Sequence, residues 1–162
     1  MKIIKPPHAL PVQRQTLFSH DGTARIAPKS IFLAGSIEMG VAEDWQSKVE
    51  KHFEDKEGYI FNPRRDDWDA GWDQSIHNEN FNEQVSWEMT AMDISHIIIM
   101  NFCEGTKSPI SLLELGLYAK TGKVVVCCPD GFWRKGNVEM VCDRYGLQLF
   151  NTMDELLERV QI

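Results

Sequence analysis

The sequence predicts an α/β domain built on a parallel sheet with helices on both faces. Three observations carry that expectation. Short apolar runs alternate with helix-like patterns from Lys29 onward. The runs Ile31-Phe32-Leu33-Ala34, Ile97-Ile98-Ile99-Met100 and Val124-Val125-Val126 are almost uninterrupted, as strands buried on both faces are. The chain has 162 residues, 43% hydrophobic and 25% charged, enough for one domain with a core that needs no staples.

Residues 1–29 differ in character from the rest of the chain. Prolines at 6, 7 and 11 suggest an extended arm. Asp21-Gly22 between Thr16–His20 and Thr23–Ala27 spells a β-hairpin. The expected division is an N-terminal arm and hairpin over 1–29 and a main domain over 30–162.

Within the main domain, Ile31–Ala34 predicts a buried strand ending at Gly35. Trp45, Val49 and Phe53 recur every four residues, which predicts an amphipathic helix over 42–55. Tyr59-Ile60-Phe61 predicts a second strand, stopped by Asn62-Pro63. Residues 63–75 lack periodicity and predict a long loop. Phe81, Val85, Met89 and Met92 mark a helix over 77–94. A third strand is expected over His96–Asn101. A helix over Ser108–Thr121 is expected to stop at Gly122, and a fourth strand to run over Lys123–Cys128. A short helix near 136–144 and a strand at Leu147–Phe150 come next. Thr152-Met153-Asp154-Glu155 spells a capping box that opens the last helix.

Composition narrows the function. A net charge of -7 argues against binding a nucleic-acid polymer, which needs clustered Lys and Arg. The four cysteines form no C-x-x-C pair and the five histidines no H-x-x-x-H, so no metal site is expected. Reduced thiols fit a cytoplasmic protein. No signal peptide or membrane span is expected. There is no G-x-G-x-x-G and no G-x-S-x-G.

In such sheets ligands sit beyond the carboxyl ends of the strands. Three stretches lie there. Gly35-Ser36 offers a close backbone approach and a hydroxyl, or is simply a turn. Asn62-Pro63-Arg64-Arg65-Asp66-Asp67-Trp68 offers guanidinium forks and a stacking face, or is a self-neutralised loop. The segment from Ser108 to Ala119 places one acid, Glu114, in an apolar helix. Glu114 is either the last letter of a Ser111-x-x-Glu114 capping box or a carboxylate in the cleft. In a cleft it suits covalent attack at a sugar's anomeric carbon. Trp87-Glu88 lies on the preceding long helix. By itself Glu88 is a surface acid unless that helix borders the site.

Taken in order, Ile31-Phe32-Leu33-Ala34-Gly35-Ser36, Asn62-Pro63-Arg64-Arg65, Trp87-Glu88 and Ser108-Pro109-Ile110-Ser111-Leu112-Leu113-Glu114-Leu115-Gly116 resemble the nucleoside 2'-deoxyribosyltransferase-like family, from about Ser30 to Tyr145. The resemblance implies a flavodoxin-like sheet and cleavage of the N-glycosidic bond of deoxynucleosides or deoxynucleotides. It implies Glu114 as the nucleophile that forms a glycosyl-enzyme ester, and Glu88 as the acid beside the departing base. It implies that Ser108 holds the sugar or its 5' substituent and that Gly35 and Ser36 line the sugar pocket. It implies that Asn62, Arg64 and Asp67 contact the base and that Trp87 belongs to the substrate-binding set. No cofactor is implied. The implied partners are a small deoxynucleoside, a free nucleobase and further copies of the chain. Phe32 stands where many members carry Tyr, Ser108 where many carry Asp, and His96 where many carry Asp.

Overall fold

The computed structural model of the chain describes residues 1–11, 29–37, 42–65 and 71–162. The expected hairpin and Asp67 lie outside the described residues. Six strands form one parallel sheet: β1 (Lys2–Ile4), β2 (Ser30–Gly35), β3 (Tyr59–Phe61), β4 (Ile97–Asn101), β5 (Val124–Cys127) and β6 (Gln148–Phe150). Their order is β1-β3-β2-β4-β5-β6. From β3 to β6 this is the 2-1-3-4-5 order of flavodoxin-like folds, with β1 added at one edge.

The apolar runs serve both faces because side chains alternate along a strand. Ile31 and Leu33 of β2 point to one face, Phe32 and Ala34 to the other. Val124 and Val126 of β5 divide from Val125 in the same way. One face is covered by α1 (Trp45–His52) and α5 (Met153–Arg159), the other by α2 (Glu79–Ile94), α3 (Pro109–Tyr118) and α4 (Lys135–Tyr145). The expected stripe Trp45, Val49 and Phe53 is the inner face of α1. The capping box at Thr152 and Glu155 is formed in full. A 3-10 turn at Ala119–Thr121 ends at Gly122, whose φ of 71° is left-handed.

Two expectations are corrected. The arm is not merely extended, since Lys2–Ile4 pairs with Tyr59–Phe61 as an edge strand. Three residues before a proline pair are too few to show a period. In α2 the inward residues are Gln84, Trp87, Ala91 and Met92, while Met89 is 49% exposed. The helix is rotated from the face that Phe81, Val85 and Met89 would define. Trp87 instead packs near Phe32 and Phe61, with ring centroids 6.5 and 6.4 Å away. That rotation carries Glu88 inward.

Candidate active site

The site begins where β2 and β4 end side by side. Gly35 sits opposite Asn101, and a Cβ on Gly35 would fall 2.1 Å from the Asn101 carbonyl oxygen. Glycine is required there by β4, whatever a ligand needs. Ser36 N then donates to the Asn101 carbonyl at 2.8 Å. This turns the Ser36 hydroxyl toward the loop between β4 and α3.

There Ser36 Oγ lies 2.6 Å from Ser108 Oγ and 2.9 Å from Thr106 Oγ1, and the latter two are 2.9 Å apart. The Cys103 amide donates to Ser36 Oγ, and Thr106 Oγ1 donates to the Cys103 carbonyl. Ser108 precedes α3 but makes no side-chain cap, and its φ of 46° is left-handed. It is the only such residue besides glycine among the described residues. The hydroxyl triangle thus ties a strained turn to the end of β2. Thr106, which the sequence reading passed over, is its third corner.

Helix α3 starts at Pro109, so Ser111 is already inside it and Glu114 lies well past its first turn. The Ser111-x-x-Glu114 capping box is not formed. Glu114 is partly buried next to buried Leu115, and no hydrogen-bond donor reaches it among the described residues. Burial pushes its carboxyl up to about 8, and the charge of Glu88 adds to the rise. Glu88, also partly buried, is raised to about 6 by burial, countered in part by an N–H from Gln84. The acids, one on α2 and one on α3, are therefore close enough for their charges to interact. Tyr118 holds those helices together, donating to Asp93 Oδ1 at 2.8 Å. Phe32 underlies the same face and brings no hydroxyl.

The Asn62-Pro63-Arg64-Arg65 segment divides. Asn62 Nδ2 donates to Glu50 Oε1 at 2.6 Å and Asn62 Oδ1 accepts from Arg64 N. Arg64 reaches the Ala42 and Glu43 carbonyls and Gln46 Oε1, on the α1 side. Arg65 turns the other way, donating to Gln84 Oε1 at 3.4 Å and lying over the Trp72 ring at 5.3 Å. The guanidinium connected to Glu88 is thus that of Arg65. Arg65 lay in the candidate stretch but without a role of its own, and Gln84 was not among the sequence candidates; the four-residue spacing of Gln84 and Glu88 on one helix was the available signal. Trp87 Nε1 donates to the His8 carbonyl at 2.8 Å, so its indole joins the arm to the core.

A cavity of about 790 Å³ opens near the ends of β4 and β5, lined by Asn101, Cys103, Thr106, Lys48 and Asp154 among others. Glu88 and Glu114 do not line it. The two acids, with their raised carboxyls, are the candidate chemical centre.

A search of the curated proteins found no match. A family model described as "Nucleoside 2-deoxyribosyltransferase like" matches residues 28–132, more than half of the chain. The matched span runs from the approach to β2 past the end of β5 and includes Ser36, Glu88, Ser108 and Glu114. The chain belongs to the nucleoside 2-deoxyribosyltransferase like family.

Proposed function

We propose that this protein is an enzyme that exchanges the base of a 2'-deoxyribonucleoside through an ester on Glu114. The observation that carries the reading is the pair of inward acids on α2 and α3, coupled to each other in a poorly solvated gap. A Glu114 carboxylate oxygen bonds to C1' as the C1'–N bond breaks. The bond's electron pair stays on the base nitrogen, which takes the proton of Glu88. In the second half an acceptor base attacks C1', Glu114 leaves as carboxylate, and the acceptor's proton returns to Glu88.

This cycle needs one proton on the pair. Burial raises both carboxyls and the charge of Glu88 opposes that of Glu114, so the pair holds a proton more readily than two free acids would. Attack requires that proton on Glu88 and Glu114 as the carboxylate. A base nitrogen placed against Glu88, and an electron-poor anomeric carbon against Glu114, both favour that arrangement.

The expected result is a new nucleoside when the protein is incubated with a deoxynucleoside and a different free base. Free deoxyribose without exchanged nucleoside would instead make the protein a hydrolase that uses the same Glu114. The hydroxyl triangle of Ser36, Thr106 and Ser108 favours a deoxynucleotide as a second donor to try, because three neutral hydroxyls bring no charge against a 5' phosphate.

We also propose that the protein self-associates. Ile110, Leu113 and Leu117 are 62, 59 and 58% exposed along one face of α3. Three large apolar side chains on consecutive turns form a seam that a second copy would bury.

A further inference from the structure

Gln84 is a buried polar residue that touches Glu88 and that no step of the exchange uses. The residue is 2% exposed. The amide nitrogen donates to the Pro63 carbonyl at 3.1 Å and to Glu88 Oε1 at 2.7 Å. The amide oxygen accepts from Arg65 Nη1 at 3.4 Å. A flipped amide would set its oxygen against the Pro63 carbonyl and the Glu88 carboxyl, and its N–H groups against a guanidinium. Two partners of fixed polarity, one a backbone acceptor and one a cation, therefore hold the N–H toward Glu88.

We propose that Gln84 is a positioning residue that fixes the carboxyl of Glu88 and decides which of its oxygens carries the proton. Oε1 already accepts an N–H at 2.7 Å, so a proton on Glu88 sits on Oε2. A carboxyl free to rotate would offer the departing base either oxygen; a tethered one offers Oε2 in one orientation. The tether also joins that orientation to the loop after β3, through Pro63 and Arg65, and onward to Trp72. A base that displaces this loop would change the aim of the acid.

The catalytic half of this inference rests on the base-exchange reading; the tether itself does not. Among the described residues, Glu114 on α3 is charge-coupled to Glu88, and Arg65 from the loop is linked to it through Gln84. The test is Gln84→Met, close in length and without a donor. With Glu labelled at the side-chain carboxyl carbon, Glu88 is titrated by NMR in wild type and variant. Loss of the N–H, which favours the ionised form, should raise its pKa further above about 6. With a deoxynucleoside and a second base, kcat should fall roughly 10- to 100-fold, the scale of a misaimed group, while KM stays within about twofold. Arg65→Met, which frees the amide oxygen of Gln84, should move both readings the same way by less, and serves if Gln84→Met does not fold. An unchanged Glu88 titration in the variant that folds overturns the tether. An unchanged kcat with a shifted titration overturns its role in the reaction. A wild type that turns over no deoxynucleoside, with a shifted titration, overturns the base-exchange reading and the catalytic half with it, and leaves the tether supported.

Discussion

Glu88 and Glu114 are the same residue type in the same gap, yet what their helices put beside them sets them apart. Glu88 has Gln84 one turn away to donate an N–H; Glu114 has no donor among the described residues and meets the charge of Glu88. The result is a nucleophile candidate whose carboxyl is held above the usual carboxylate range. This has a sign for stability. The folded protein raises Glu114 from 4.5 to about 8, so between those values it binds more protons than the unfolded chain. The stability that Glu114 contributes is therefore fully present below about 4.5 and is lost as pH rises through about 8. Glu114→Gln, which cannot ionise, should melt higher than wild type at alkaline pH, by roughly 2–4 °C for each kcal/mol removed, with the difference vanishing at acid pH. Thermal scans across pH check this. A variant that melts lower at alkaline pH would mean that the Glu114 carboxylate is stabilised in place.

At the scale of elements, the turn into α3 is the place where local preference is overridden. Ser108 adopts a left-handed φ that costs a residue with a Cβ about 1–2 kcal/mol, and its hydroxyl joins Ser36 and Thr106 instead of capping the helix. Ser108→Ala keeps the strain and loses the hydroxyl; Ser108→Gly loses both. Denaturant unfolding should find the glycine variant more stable than the alanine variant by about 1 kcal/mol. Equal stabilities would mean that the turn relaxes once the hydroxyl is gone. The strands from β2 to β5 were legible because they are largely buried on both faces and carry short apolar runs. The inner face of α2 was not, because Met89 is exposed while Gln84 is buried, the reverse of what hydropathy favours. The roles of Gln84 and Arg65 in the site were hidden for a related reason: they depend on which way a helix is turned and on contacts between elements far apart in the chain.

The whole molecule is a three-layer sandwich whose sheet ends carry the candidate chemistry, and that much follows from alternating patterns and strand order. That the two acids meet could only come from the fold. The seam on α3 is a property at this scale too: Leu113→Glu should lower the sedimenting mass if copies associate there, whereas a wild type that sediments as a monomer would remove the proposed association. In the described part, no helix is long and apolar enough to cross a membrane. The adjacent arginines after β3 have a practical meaning for altering this protein. Arg64 serves the layer of α1 and Arg65 the layer of α2, so the sheet stands between two neighbouring codons. Randomising position 65 would disturb the contact with Gln84 on α2, and randomising position 64 the contacts on the α1 side.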